Sequence, residues 1–333
     1  MTEFLSSFTK LQQIDSTANE LQMVGSKIHW QGLVGSSRSI SASLVAKQAP
    51  GNHLFILEDK EQAAYFLNDL QGLYPKDQTV LFYPSSYRVP YELEKTDNAN
   101  VVSRAEVLEK ISNTKNTWVV TYPKALFERI PSEKNLTKST LKLERGKTYS
   151  IDFINETLLD LEFERVEFVY EPGQFSIRGG IVDVFSYSND QPFRIEFFGD
   201  DVESIRTFDA STQLSINEHK FFYIVPNVQG GLMREENVSF IDFIGSTTTV
   251  WLASYDQTLD DLEVEYKKAV SIFDKLNSEI KHTLPSELFY HPTDFQKNIK
   301  EMTVVEFGAN FHFPSKSNFS FDFKPQPSFN KNF

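Results

Sequence analysis

The chain has 333 residues, of which 40% are hydrophobic and 24% charged, so it is long enough for two or three soluble domains with real cores. The absence of cysteine excludes disulfides, a thiolate zinc site and a cysteine nucleophile, and the absence of a signal-peptide pattern or an apolar run of ~18 residues favours a cytoplasmic protein without a membrane span. The net charge of −13 disfavours a general nucleic-acid-binding surface and favours protein partners.

Apolar strands alternate with amphipathic helices in the first part of the chain. Residues 28–46 predict a strand, a glycine turn and a helix, and further strands are predicted at residues 53–58, 79–83 and 118–122. The segments DKEQAAYFLNDLQGLY, VVSRAEVLEKI and PKALFERI are typical of helices. This alternation indicates βαβ units with a parallel sheet, which is an α/β fold.

The pattern changes after residue 131 and returns near residue 226. DFINETLLDLEF predicts a helix, and residues 193–198 and 202–208 predict a β-hairpin around GDD, so residues 132–225 are predicted to form an α+β domain with an antiparallel sheet. Later, residues 247–253 predict a strand, and NFSFDF has the alternation of a strand face. Between them lies a long helix with one predicted apolar stripe, comprising Leu259, Leu262, Tyr266, Val270, Phe273 and Leu276.

We therefore predict two segments of one α/β domain, residues 1–131 and 226–333, and a domain of residues 132–225 between them. The chain stops at PQPSFNKNF without a capping element, and we expect it to be a piece of a longer protein.

The stretch GLVGSSRS (residues 32–39) follows a predicted strand and precedes a predicted helix, which is the context of a phosphate-binding loop. Gly32, Gly35 and Ser39 suit such a loop, but Ser37 stands where the second glycine of the motif belongs and Arg38 where the lysine belongs. No strand ends in an Asp-Glu pair that would hold Mg²⁺. We interpret the loop as degenerate and expect no nucleotide hydrolysis and no bound cofactor.

Other catalytic chemistry has no support in the sequence. The six histidines show no paired metal-ligand spacing, and no serine lies in a Gly-x-Ser-x-Gly elbow, so neither a metal site nor a catalytic residue is predicted. Scattered histidines are by default ordinary surface or core residues.

The middle domain contains EPGQFSIRGGIVDVF followed by FRIEFFGDDVESIRTFDASTQLS. Strand alternation places Phe175 and Ile177 on one face and Ser176 and Arg178 on the other. In the hairpin, Arg194 and Glu196 share a face opposite Phe193, Ile195 and Phe197. Taken alone, this pattern indicates a half-buried sheet with an outer face that is charged for solubility.

The same block resembles the second domain of bacterial transcription-repair coupling factors and the matching domain of the excinuclease B subunit. GLVGSSRS, FYPSSYRVPYE, SRAEVLEKI, VVTYPKALFERIP and PQPSFNKNF agree in order, so the resemblance covers nearly the whole chain. It implies a degenerate helicase-like (RecA-like) parallel-sheet domain in two segments, with a small α+β domain inserted. It also implies that the ATP- and Mg²⁺-dependent motor and the regions that engage RNA polymerase and duplex DNA lie outside these residues.

The resemblance further implies that the inserted domain binds the excinuclease A subunit (UvrA), with its arginines as contacts. Arg178 matches the arginine of the shared Phe-x-x-Arg-Gly pattern, while Ser176 departs from the excinuclease B pattern, which has a second arginine there. Arg165, Arg194 and Phe175 lie in the matching block. Two alternatives stay open, a nucleotide-dependent helicase fragment and a DNA-binding module, as does masking of the arginines by absent domains.

Overall fold

The computed structural model describes residues 8, 11–74, 78–86, 89–91, 98–227, 237–276, 283–315 and 317–324. His282, the PQPSFNKNF segment and residues 87, 88 and 92 of FYPSSYRVPYE lie outside these ranges. The chain divides into two compact units, the first made of residues 1–84, 114–128 and 240–333 and the second of residues 85–113 and 129–239. The domain boundaries predicted after residues 131 and 225 stay predictions.

The described strands, in chain order, are β1 (Lys27–Gln31), β2 (His53–Ile56), β3 (Thr79–Phe82), β4 (Thr117–Thr121), β5 (Ile130–Pro131), β6 (Leu141–Glu144), β7 (Glu164–Arg165), β8 (Gln174–Arg178), β9 (Ile181–Val184), β10 (Phe193–Phe198), β11 (Asp201–Phe208), β12 (Ser215–Glu218), β13 (Phe221–Ile224), β14 (Asn237–Val238), β15 (Thr249–Leu252), β16 (Thr303–Glu306) and β17 (Ser317–Ser320). The described helices are Gln12–Glu20, Ser37–Gln48, Lys60–Leu73, Asn98–Asn113, Pro123–Leu126, Glu133–Lys138, Ile151–Asp160, Phe240–Ile244, Tyr255–Phe273, Pro285–Leu288 and Pro292–Glu301. Within the described ranges, no helix combines the length and apolarity needed to cross a membrane.

The first unit is built on a seven-stranded parallel sheet in the order β17-β1-β16-β15-β2-β4-β3. Strands β1–β4 precede the long middle segment of the chain and β15–β17 follow it, so two separate stretches of sequence complete one sheet. Strands β2, β4, β15 and β16 are buried along their whole length, as expected for parallel strands covered on both faces. The predicted α/β fold with a parallel sheet in two segments is confirmed.

Aromatic side chains fill the centre of this sheet. Trp30, Trp118 and Trp251 are fully buried. The rings of Trp30 and Trp251 meet edge to face with centroids 5.1 Å apart, and the Phe55 ring lies 5.6 Å from that of Trp251. Edge-to-face and offset packing of this kind adds stability beyond the burial of apolar area.

The long helix Tyr255–Phe273 forms as predicted, but the predicted apolar stripe is wrong in phase. Val270 is exposed, and of the predicted stripe only Leu262 is fully buried. The buried positions are Tyr255, Thr258, Leu262, Glu265 and Ala269. The two polar side chains on the buried side have partners: the Thr258 hydroxyl donates to the Ser254 carbonyl at 2.7 Å, and Glu265 Oε1 lies 2.7 Å from Lys268.

The second unit contains a six-stranded sheet in the order β12-β11-β10-β9-β8-β7, antiparallel except for the β7–β8 pair. Its inner face carries the core of the unit, to which helix Ile151–Asp160 contributes Ile154 and Leu158. Strand β10 matches the predicted 193–198 segment, and β11 begins one residue before the predicted start. The predicted hairpin is confirmed.

Candidate functional site

The GLVGSSRS loop joins β1 to helix Ser37–Gln48 in the first unit. Gly32 has a φ of +81°, and a Cβ there would stand 1.9 Å from the Phe321 carbonyl oxygen. Glycine is required at this position because the backbone following β17 passes directly against it. The close approach closes one side of the loop with main chain rather than leaving it open to a ligand.

Three backbone amides of the loop, those of Val34, Ser37 and Arg38, are bound within the loop itself. The Ser37 amide donates to the Val34 carbonyl at 3.1 Å, and the Arg38 amide donates to the Gly35 carbonyl at 3.2 Å. The Ser37 hydroxyl accepts from the Val34 amide at 2.8 Å and donates to the Val34 carbonyl at 2.7 Å. These bonds fold the loop into a tight turn in which three amides already have acceptors, whereas the amides of a phosphate cradle point at a ligand.

The two side chains at the diagnostic positions of the motif are also bound internally. Arg38 makes an ion pair with Glu58, just beyond β2, at 2.7 Å, and its guanidinium lies 4.7 Å from the Phe307 ring. The Ser39 hydroxyl donates to Asp69 at 2.6 Å. A cavity of about 280 Å³ beside the loop is lined by Arg38, Ser39 and Asp69, so a carboxylate faces the space where a phosphate would lie.

Two of the histidines, His53 and His29, make structural contacts in the first unit. His53 is buried between Ala49 and Trp251, and burial lowers the pKa of His53 to about 4. His29 lies 3.2 Å from Glu306, a buried carboxylate that also accepts from the backbone amides of residues 312 and 313. Among the described residues, no group of three histidine or acidic side chains is placed to hold a metal ion.

The six-stranded sheet separates its side chains by face as the sequence predicts. Phe175, Ile177 and Ile195 belong to the inner core. The opposite face, called the outer face below, consists of Ser176, Arg178, Asp183, Arg194, Glu196, Ser204 and Arg206 on strands β8–β11. Phe175 is fully buried, so its assignment as a partner-binding residue is corrected: it anchors β8 in the core and cannot meet a partner.

A two-residue turn fixes the register of β8 and β9. Gly179 has a φ of +59°, and a Cβ on Gly180 would lie 2.8 Å from the Phe197 carbonyl, so both positions of the turn require glycine. The turn pairs Arg178 with Ile181 and Ser176 with Asp183. It thereby brings a carboxylate beneath the arginines of the outer face.

Asp183 is the centre of the outer face. Its side chain is only 1% exposed, and both oxygens accept from Arg194, Oδ1 from Nε at 2.7 Å and Oδ2 from Nη2 at 2.8 Å. Oδ2 also accepts from Nη2 of Arg178 at 2.5 Å. The hydrogen bond to Asp183 raises the pKa of Arg194.

The segment that precedes β8 covers part of the outer face. The Glu167 carbonyl accepts from the Ser176 hydroxyl at 3.0 Å and from Nη1 of Arg178 at 2.8 Å. The Arg178 guanidinium lies 5.0 Å from the Phe168 ring. The outer face is therefore an ordered surface rather than a set of independent solvated charges.

A second, small hydrophobic core lies under this segment. It consists of Val169, Phe185 and Phe208, with Val166 packed against it. The Arg194 guanidinium stacks 4.5 Å from the Phe208 ring. No local pattern in the sequence predicts this core, because the contact between residues 166–169 and the sheet depends on tertiary packing.

The remaining predicted arginine and several aromatic side chains are exposed. Arg165 lies in the exposed strand β7 and makes no side-chain hydrogen bond or ion pair with any residue that the structure describes. Phe168, Tyr170 and Phe198 are 44%, 55% and 81% exposed. The exposure of Phe198 could be predicted from the sequence. It directly follows Phe197, which points inward, so the alternation of β10 places Phe198 on the opposite face.

The comparisons with known proteins identify this region. Residues 141–229, which contain strands β6–β13, match the family model described as the UvrB interaction domain. The chain is 29% identical to the transcription-repair-coupling factor of Bacillus subtilis over 215 residues, which are 65% of this chain and 18% of that protein. It is 32% identical to the transcription-repair-coupling factor of Rickettsia prowazekii over 167 residues, 49% of this chain and 15% of that protein.

A second group of relatives consists of proteins named UvrABC system protein B. The chain is 26% identical to UvrABC system protein B of Streptococcus uberis over 213 residues, 59% of this chain and 31% of that protein. The resemblance inferred from EPGQFSIRGGIVDVF to coupling factors and to the excinuclease B subunit is thus confirmed. The chain spans less than a third of the length of each of these relatives.

Proposed function

We propose that this chain is a recruitment module of nucleotide excision repair that binds the excinuclease A subunit through the outer face of its six-stranded sheet. The proposal rests on the position of two arginines within the part of the chain that matches the family model. The stretch that matches the UvrB interaction domain contains the sheet on which Arg178 and Arg194 share one buried carboxylate. Arginines held this way suit bidentate contact with carboxylates of a partner and often dominate the energy of an interface.

The proposed role is non-catalytic. In the GLVGSSRS loop, the amides of Ser37 and Arg38 and the side chains of Arg38 and Ser39 all bind groups of the chain itself. For a nucleotide to bind, these bonds would have to break. Its phosphate would also have to lie close to the Asp69 carboxylate, which repels it. This supports a module without ATP or Mg²⁺ of its own.

The named relatives suggest the wider context. We propose that the chain is part of a transcription-repair coupling factor, which would bring repair proteins to RNA polymerase stalled at a DNA lesion. Contact with RNA polymerase and duplex DNA, and ATP-dependent translocation, would then belong to parts of the parent protein outside these residues.

The two alternative functions make different demands on the surface. A helicase fragment needs an open phosphate site, and the bonds within the GLVGSSRS loop count against one. A DNA-binding module needs a basic surface, but the chain carries a net charge of −13 and the outer-face arginines are partly neutralised by Asp183 and Glu196.

The test is a titration of the wild-type chain and two arginine variants against purified excinuclease A subunit. Arg178→Ala should lower the affinity about thirtyfold, equivalent to about 2 kcal/mol, because it removes a central charged contact. Arg145→Ala is the matched control, since Arg145 is an exposed arginine of the same unit that pairs with Glu218 at 3.6 Å. Equal binding by all three proteins would contradict the assigned site.

A further inference from the structure

The buried carboxylate of Asp183 has an unusual position for a charged group. It lies on β9 between β8 and β10, is 1% exposed, and accepts three bonds from two guanidinium groups. Removing one cationic partner from a carboxylate withdrawn from water in this way is strongly destabilising. The three side chains therefore form one interdependent cluster, made of Asp183, Arg178 and Arg194.

Arg178 and Arg194 are not equivalent within this cluster. Arg194 is 16% exposed, and besides Asp183 it donates to the Gln213 carbonyl at 3.3 Å and to Gln213 Oε1 at 3.2 Å. The Arg178 side chain is 35% exposed, and only its bonds to Asp183 and Glu167 use its N–H groups among the residues that the structure describes. Arg178 thus keeps further donors for a partner, while Arg194 mainly braces the carboxylate.

Three contacts hold Arg178 from different sides. Asp183 binds one Nη, the Glu167 carbonyl binds the other, and the Phe168 ring lies against the guanidinium plane at 5.0 Å. A free arginine loses much rotamer freedom when a partner orders it, and this loss weakens binding. An arginine that is already ordered avoids most of that loss.

We infer that Asp183 is a positioning residue of the outer face, which holds Arg178 ready for a carboxylate of the partner. The part of this inference that concerns the partner rests on the proposed function. Asp183 itself, being buried, makes no contact with the partner. Its removal weakens binding by releasing Arg178 rather than by deleting an interfacial group.

The first test needs no partner. Relaxation of the arginine Nε–H groups, measured by NMR on the free wild-type chain, should show Arg178 and Arg194 to be rigid and Arg165 to be mobile on the ps–ns timescale. Asp183→Asn should make Arg178 mobile. The matched control is Glu196→Gln, which alters the other outer-face carboxylate, the partner of Arg206, and should leave Arg178 rigid.

Two results of this first test would overturn the inference. One is an Arg178 side chain that is as mobile as Arg165 in the wild-type chain. This measurement is informative even if the Asp183→Asn variant does not fold. The other is an Arg178 that remains equally rigid in a folded Asp183→Asn variant.

The second test is a double-mutant cycle with excinuclease A subunit. Asp183→Asn should lower the affinity about tenfold in the wild-type background and hardly at all in an Arg178→Ala background, because both changes remove the same contribution. An equal loss in both backgrounds would show that Asp183 acts on the fold in general and would overturn the positioning role. If the wild-type chain does not bind the subunit, the proposed function fails, and the relaxation measurement still decides whether Asp183 positions Arg178.

Discussion

The indole of Trp251 donates from Nε1 to Nδ1 of His53 at 3.0 Å, inside the parallel sheet. Nδ1 is therefore an acceptor, and Nε2 carries the ring proton, which it donates to the Ala49 carbonyl at 2.8 Å. The bond from Trp251 requires the neutral imidazole, because a protonated Nδ1 cannot accept, whereas the bond to Ala49 is made by either form of the ring. His53 is 2% exposed, and burial is the main reason why its pKa falls to about 4.

The buried imidazole predicts that acid destabilises the first unit. Between pH ~6.5 and ~4 the unfolded chain binds a proton at His53 and the folded chain does not, so the free energy of unfolding falls as the pH falls through this window. The full loss should be about 3 kcal/mol. It can be measured by urea unfolding at a series of pH values, followed by tryptophan fluorescence, since all three tryptophans lie in the first unit.

The matched pair of variants for this prediction is His53→Gln and His312→Gln. His53→Gln should be less stable at pH 7, because it loses aromatic packing, but should show a smaller loss between pH ~6.5 and ~4. His312→Gln replaces a partly exposed histidine and should keep the loss that His53 causes. A wild-type stability that does not change over this window would contradict the neutral, buried imidazole.

The internal bonds of the GLVGSSRS loop predict that the chain does not bind nucleotide. Calorimetric titration with Mg-ATP should give no saturable binding below about millimolar, a limit that corresponds to about −4 kcal/mol. The reason is that the Ser37 and Arg38 amides and the Arg38 and Ser39 side chains already have partners within the chain. Micromolar binding would contradict the degenerate-loop interpretation and favour the helicase alternative.

The net charge of −13 predicts weak binding to duplex DNA. Any binding should arise from a local basic patch and should fall steeply as salt rises, because it depends on counterion release. Fluorescence anisotropy with a labelled duplex at physiological salt provides the measurement. Nanomolar affinity there would show that protein recruitment is not the only function of the chain.

The sequence predicts the local structure of the sheet well. The period-two pattern in β8 and β10 places Phe175 and Ile195 inside and Arg178 and Arg194 outside, and the glycine pair 179–180 marks the turn between β8 and β9. These features depend on residues close in sequence, so alternation and turn chemistry suffice to predict them.

Features that depend on tertiary contacts escaped prediction. The segment that contains Glu167 and Val169 covers the outer face, and no local pattern shows that a chain segment will pack there. The stripe on helix Tyr255–Phe273 was misassigned because the helical period permits two overlapping stripes. The correct one includes Glu265, whose burial depends on nearby lysines such as Lys268.

The last prediction concerns Phe198, at the end of β10. Its aromatic ring is 81% exposed and therefore contributes little to the fold. Strand alternation places it on the same side of the sheet as Arg194 and Glu196, so a protein bound to the outer face would cover it. Phe198→Ala should leave the melting temperature of the chain unchanged. Its affinity for excinuclease A subunit should fall about tenfold or more, since buried aromatic groups are frequent hot spots of interfaces.

The control for Phe198 is Phe153→Ala. Phe153 is 51% exposed and lies on helix Ile151–Asp160, whose Ile154 and Leu158 pack against the inner face of the sheet rather than the outer face. Its truncation should change neither the melting temperature nor the affinity. If Phe153→Ala weakens binding and Phe198→Ala does not, the partner meets the helix side of the unit, and the proposed site on the outer face is wrong.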